Sequence, residues 1–456
     1  MPKVELPVEP GSQPSLVWRE RLLLMAAAAA IQVIAWLIIL QLFAVVLKWG
    51  YPPQNVSPDV VHYADVATRV LIGRQWPYSA FPFEYPPLSI LLFLLPPVRG
   101  TLANYHHWFA VQMIAIDAIT AVVTTAAAMR IWRGAVRPLT TALVLAVAAV
   151  AMGAFAVQVF DGAVALVLAL AVLCLVYRRW TLAALTIGLG FSLKLMPIVM
   201  LPLALILAGT RRKALWALLA GVVAAVTPFV PFLLHDEGAI RSALFGAQVG
   251  RGLQIESVAA SPYLVTELAH HGAVTVTVPP GGSLTINAVG TGLVGSLAPL
   301  TVLLLLVVVY WAVWHSREAL RRSSEGVPVA ALAAILAALC GNKVLSPQHL
   351  LWILPLVALC LGSRALLPKI AAVLLLCAMA LTQIEFPGMY LRQVHLDPAP
   401  LVVIPARNAL LVVAFALTVA AVWKLRPPVS AADPASVDPA AGGRRAQRAF
   451  TRRAGA

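Results

Sequence analysis

Apolar residues fill most of this chain in runs about one bilayer long, separated by short polar stretches. A spanning helix needs about 20 predominantly apolar residues, and its backbone groups must be bonded internally at that depth, so helices are the only plausible spanning element. The pattern predicts about twelve of them, at roughly 22–48, 105–130, 137–158, 162–178, 181–193, 196–209, 214–234, 288–314, 327–341, 348–363, 369–384 and 403–425. The fold class expected is an all-α polytopic membrane protein.

Positive charge tests that count, because Lys and Arg collect in short cytoplasmic loops. Arg130/Arg133/Arg137, Arg178/Arg179, Arg211/Arg212/Lys213, Arg317/Arg321/Arg322, Arg364/Lys369 and Lys424/Arg426 fall at alternate connections. With Arg19 and Arg21 ahead of the first helix, this places both termini in the cytoplasm. The bookkeeping holds only if residues 87–98, "PLSILLFLLPPV", do not span. That run is about half the length required and is bracketed by Pro-Pro, which suits an interfacial or re-entrant helix.

The expected organisation follows. Residues 1–21 form a cytoplasmic N-terminal tail and 22–425 the transmembrane domain. Residues 49–104 are its first external loop, carrying the interfacial helix, and 235–287 a long external segment whose "TVTVPPGGSLT" portion reads as loop or short strand. Residues 426–456, rich in Pro, Ala and Arg, are a disordered basic cytoplasmic tail.

Composition agrees: 61% of residues are hydrophobic and 11% charged, with a mean hydropathy of +0.89. The net charge of +15 raises nucleic acid as a partner, but the basic residues sit between apolar runs and in the tail, where membrane topology accounts for them. Cys174, Cys340, Cys360 and Cys377 show no metal-binding or disulfide spacing.

On the predicted external side the polar residues gather. Asp59, Tyr63, Asp65 and Glu84 lie in the first loop, Asp161 at the next external turn, and Lys194 at the break "SLKLMP". Arg251, Gln254 and Glu256 lie in "GRGLQIES", and Asn342, Lys343, Gln348 and His349 in "GNKVLSPQHL". Singly each has a structural alternative: helix caps for Asp161 and Asn342, snorkelling for Lys194, pairing of Glu84 with Arg74, an interfacial role for His349. As a set at one water–membrane boundary they suit a polar, anionic substrate. Joining a sugar to a hydroxyl needs a carboxylate to take the acceptor's proton and cations to steady a departing phosphate. Lys194, Arg251, Lys343 and His349 are the candidate phosphate partners. Tyr63, Asp65, Glu84, Asp161, Gln254, Glu256, Asn342 and Gln348 are candidate substrate contacts. No Asp-x-Asp pair occurs in the external loops, so neither a metal nor another cofactor is called for.

These motifs, "DVVHYA" from Asp59, "LIGRQWPY", "FEYPPL", "RGLQIES" and "NKVLSPQHLLWILP", resemble glycosyltransferase family 87 from the first helix to about residue 365. The resemblance implies the GT-C fold and an inverting mannosyltransferase that draws on polyprenyl-phosphate mannose at the extracytoplasmic face of the cell membrane. A glycolipid or lipoglycan would be the acceptor, and the lipid bilayer the only other partner. It also implies a general base in the first external loop, where Asp59 occupies the motif position. Asp65 stays open as the alternative. Another polyprenyl-linked sugar, such as arabinofuranose or glucose, fits the same residues. A secondary transporter would also have about twelve helices, but such proteins are commonly built on internal repeats with midplane sites, and this chain shows unequal loops and polar groups at helix ends.

Overall fold

The computed structural model describes residues 16–47, 57–241, 246, 250–278 and 283–425. The basic tail 426–456, most of the N-terminal tail and the start of the first loop therefore lie outside the described residues. Helices stand at all twelve places where the apolar pattern predicts them. Seven, Trp18–Gln41, Leu102–Ile131, Arg211–His235, Thr291–His315, Ser324–Gly341, Leu366–Glu385 and Pro398–Trp423, are long and apolar enough to cross a membrane. Five others, Val136–Met152, Asp161–Val176, Trp180–Leu193, Met196–Leu207 and Pro347–Leu361, are shorter. Among the described residues, length and composition alone thus mark seven candidate spans, and glycine and proline interrupt the chain at other places where a span is expected. Gly153 ends one helix at φ 73, a conformation that glycine adopts without strain. Pro197 and Pro347 each open a 3-10 turn before α-helix resumes.

Burial follows what a lipid solvent permits. Every residue of the Val327–Gly341 helix is buried, so it forms the axis of the bundle. The Thr291–His315 helix turns Leu300, Leu303, Leu304, Val307, Val308 and Trp311 outward, all about half exposed or more. Such an apolar face would be costly in water and is at home in lipid. The Trp180–Leu193 and Arg211–Val226 helices approach so closely that a Cβ on Gly188 would stand 2.2 Å from the Gly221 carbonyl oxygen. Gly188→Ala is expected to destabilise the protein by about 1–3 kcal/mol or more, seen as a lower melting temperature in detergent, with Gly162→Ala, whose Cβ would meet open space, as the comparison.

The first loop holds more structure than expected. Residues 87–98 contain only a six-residue helix, Ser89–Leu94, in keeping with a piece too short to span. A second helix, Pro58–Leu71, lies earlier in the loop, at a place the sequence reading did not specify. Its amphipathic spacing was legible: Val60, Tyr63, Val66 and Ala67 make up its buried face. The first long helix begins at Trp18, so Arg19 and Arg21 belong to it rather than to a preceding tail.

In the second long segment, β1 (Leu253–Gln254), β2 (Thr275–Thr277) and β3 (Thr285–Asn287) form an antiparallel sheet in the order β1-β3-β2, with Ile286 opposite both Leu253 and Val276. Leu253, Ile255, Leu264 and Ile286 pack with Leu401 and Ile404 into a small separate core. This cap covers one end of the bundle.

The two ends differ in charge. Arg178 donates to the Arg321 carbonyl at 2.7 Å, Arg321 to the Ile206 carbonyl at 2.7 Å, and Arg130 lies over Tyr177. These turns therefore meet at one end. Asp161 and Lys194 occupy the other ends of the helices that carry Val176 and Trp180, about 20–24 Å away at 1.5 Å per residue.

Candidate active site

Asp161 opens its helix and is 1% exposed. Its Oδ1 accepts from Lys194 Nζ at 2.7 Å and from Trp352 Nε1 at 2.6 Å. Lys194, freed from helical geometry at the end of Trp180–Leu193, extends between the rings of Phe160 and Trp352, 4.8 and 5.3 Å from their centres. A buried ion pair repays its desolvation only when further bonds and favourable contacts surround it, and both are present. Asp161 thus positions Lys194 rather than presenting itself to substrate.

Asp59 reaches the same place from another helix. Gln158 Oε1 accepts from the Ser57 amide at 2.9 Å, and the Ser57 hydroxyl caps the helix by accepting from the Asp59 amide at 3.2 Å. Tyr63, one turn on, stacks on Phe93 at 4.2 Å and meets Phe160 edge-on at 5.8 Å. These contacts hold the half-buried Asp59 carboxyl within electrostatic reach of Asp161, Lys194 and Glu84. Burial raises its pKa above the ordinary carboxylate range, Asp161 adds to the rise, and the Ser57 hydroxyl and Lys194 oppose it. A carboxylate with a raised pKa is a stronger base near neutrality.

The rim comes from distant parts of the chain. Arg251 Nη2 bonds Glu84 Oε2 at 2.6 Å, with both side chains about one-third exposed. Lys343 Nζ donates to the Arg251 carbonyl at 2.6 Å, and its pKa is held low by burial and then by Arg251. Gln254 closes the group. Its Nε2 donates to Glu256 Oε2 at 2.6 Å and to Ser346 Oγ at 3.2 Å, and its Oε1 accepts from the Leu345 amide at 2.9 Å.

Several residues serve differently from the sequence expectation. Tyr63 is 1% exposed and belongs to the aromatic packing beneath Asp59 rather than to a sugar contact. Asp65 forms an exposed pair with Arg69 at 2.8 Å, one helical turn away. Asn342 is exposed and accepts from the Val344 amide at 3.3 Å, so it caps its turn instead of facing the cluster. His349 Nδ1 accepts from the Ser346 amide at 3.2 Å while the ring stacks on Trp352. That acceptor role needs a bare lone pair, so His349 offers a neutral N–H at Nε2 and no cation. Glu84 pairs with Arg251 and not with Arg74. Gln348 is half-buried at the same turn. Glu256 is drawn into the interior, 5% exposed beside Glu385 and Arg407.

Trp352, Gln158, Glu385 and Arg407 escaped the sequence reading. For Arg407 the signal was there: a charge inside an apolar run marks a buried partner or a site. The same holds for Asp117, which accepts from Gln32 at 2.5 Å and Trp36 at 2.6 Å between helices. Among the described residues no group of three or more His, Cys, Asp or Glu is arranged to hold a metal ion.

Beside the cluster, Val70, Arg74, Trp76, Leu88, Leu91 and Phe232 help line an open groove of about 460 Å³. Its wall is tied to the site, since the Leu88 amide donates to the Ser192 carbonyl at 2.8 Å, two residues before Lys194.

No curated protein matches the chain. Residues 83–294, a little under half of it, match the family model described as Glycosyltransferase family 87. The match takes in Glu84, Asp161, Lys194, Arg251, Gln254 and Glu256 but stops short of Asp59, Lys343 and His349, so it is narrower than the resemblance drawn from the motifs. Over that stretch, in a chain with several apolar helices long enough to span a membrane, the protein is similar to the glycosyltransferases of family 87.

Proposed function

We propose that the protein is an inverting GT-C glycosyltransferase that moves a mannosyl group from a polyprenyl phosphate to a hydroxyl of a glycolipid or lipoglycan. The oxygen of that hydroxyl attacks C1 of the sugar while Asp59 takes its proton. The bond from C1 to the phosphate oxygen breaks, and the polyprenyl phosphate leaves carrying the negative charge. Lys194, Arg251 and Lys343, with the Nε2–H of His349, offer charge-assisted and neutral hydrogen bonds to that charge as it develops. Arg251 has the most freedom to do so, because its pair with Glu84 is partly solvated and can open.

The observation that carries this reading is the convergence of Asp59 with the Asp161–Lys194 and Glu84–Arg251 pairs at one end of the bundle. The adjoining apolar groove favours a lipid-linked substrate, with the polyprenyl chain along Leu88, Leu91 and Phe232. The basic turns at the opposite end favour an extracytoplasmic site with both termini in the cytoplasm.

The test is direct. Membranes containing the protein are incubated with radiolabelled polyprenyl-phosphate mannose and lipid extract, and the labelled product is identified. Label in a glycolipid with inverted anomeric configuration is expected. Transfer from polyprenyl-phosphate arabinofuranose or glucose in place of mannose would change the sugar and keep the mechanism. Sugar flux into proteoliposomes without any covalent product would replace the reading by a transporter.

A further inference from the structure

A second concentration of charge lies where the cap meets the bundle, away from solvent. Glu256 is 5% exposed, and Glu385 and Arg407 are 0% exposed on the Leu366–Glu385 and Pro398–Trp423 helices. Arg407 Nη2 donates to the Glu256 carbonyl at 2.6 Å and stands 3.7 Å from Glu385 Oε2. Asn408 Nδ2 donates to the carbonyls of Glu256 and Ser257 at 3.3 and 3.0 Å. The Glu256 and Glu385 carboxyl groups are close enough to couple electrostatically, and the buried Glu385 oxygens have no hydrogen-bond donor among the described residues.

Two ionised carboxylates and one guanidinium would leave an uncompensated negative charge out of water, which burial strongly disfavours. A single retained proton removes that excess charge, leaving one carboxylate for the one guanidinium. We infer that Glu256, Glu385 and Arg407 form a one-proton lock that positions the Arg251–Glu256 segment over the active site, with one carboxyl kept as the acid and the other balanced by Arg407.

The lock reaches the site along covalent and hydrogen bonds already described. Glu256 accepts from Gln254, Gln254 bonds Ser346 and the Leu345 amide, and the Gln254 amide donates to the Lys343 carbonyl at 3.0 Å. Arg251 lies just before β1. These are positioning residues, whose link to the site runs through Gln254.

Burial, then Glu385, push the pKa of Glu256 well above the carboxylate range, opposed by Arg407 and Gln254. An acid whose folded pKa is raised contributes stability below its unfolded pKa and loses it as pH rises through the folded value. The lock therefore opens on the alkaline side. Tyr390, which senses Glu256, and Cys340 and His349, which sense Arg407, are the other titratable groups facing it.

The test uses the full-length protein in lipid nanodiscs and does not depend on the proposed sugar transfer. Infrared difference spectra across a pH titration read protonated carboxylic acids, and hydrogen exchange, corrected for its intrinsic pH dependence, reads residues 253–261. In the wild type an acid carbonyl band is expected to vanish on the alkaline side as protection of 253–261 falls at least tenfold. Glu256→Gln, which keeps a hydrogen-bonding amide and needs no proton, should lose that band and keep protection flat with pH, and Arg407→Met should lower protection at neutral pH. The inference is overturned if the band survives in both Glu256→Gln and Glu385→Gln, or if wild-type protection does not change with pH. Where transfer is measurable, its alkaline limb should move up in pH in Glu256→Gln. Absence of transfer in the wild type would count against the proposed function and leave the spectroscopic result standing.

Discussion

Asp59→Asn should lower sugar transfer by about 10²–10⁴-fold, the range a positioned general base contributes, with little change in melting temperature. Asparagine preserves the size of the side chain and its contact with the Ser57 cap, so the Pro58–Leu71 helix stays docked by Gln158 and Tyr63. What is lost is the group that accepts the proton in the proposed mechanism. Because burial and Asp161 raise the pKa of Asp59, the wild-type rate should fall as pH drops through a value above the ordinary carboxylate range, and that acid limb should be missing from the residual activity of the variant. Asp65→Asn is the internal comparison, for Asp65 gives up only an exposed pair with Arg69, worth about 0–1 kcal/mol. A larger loss in Asp65→Asn than in Asp59→Asn would move the base to Asp65.

Lys194→Met is expected to cost about 3–5 kcal/mol, the penalty for leaving one member of a buried pair behind. Asp161 would keep Trp352 as a donor but no counter-charge, in a setting where it is 1% exposed. Adding Asp161→Asn should recover much of that stability, because both charges are then gone. Thermal unfolding in detergent, arranged as a double-mutant cycle, gives the coupling between the two residues. Activity should behave differently: the double variant folds but lacks the cation proposed to face the departing phosphate, so transfer should stay low. If transfer recovers with stability, Lys194 holds the fold and has no part in the reaction.

Much of this architecture is local in origin and was legible along the chain. Hydropathy over some twenty residues locates the helices, and proline and glycine mark where they break, as at Met196 and Pro347. The short run at 87–98 is too brief to span, whatever surrounds it. The basic turns sort to one end by their spacing alone, and Arg178 and Arg321 do meet there.

Partnership was not legible, since it joins residues far apart in sequence. Nothing near Glu84 distinguishes Arg74 from Arg251, 167 positions away. The motif at His349 contains a histidine and a serine, and only the folded turn makes the ring an acceptor and removes its charge. Glu256 looked like a rim residue until the cap folded over Arg407 and Glu385 and took it out of water.

By itself, then, the sequence determined the membrane helices, their interruptions and the gathering of polar residues at a common boundary, because hydropathy and backbone conformation depend on neighbours within a few turns. Tertiary structure alone decided which charges pair, which carboxyl stays half-buried beside Asp161 and Lys194 and which retreat into the interior. Those outcomes depend on burial and on charges brought together from several helices, and both quantities exist only once the chain has folded.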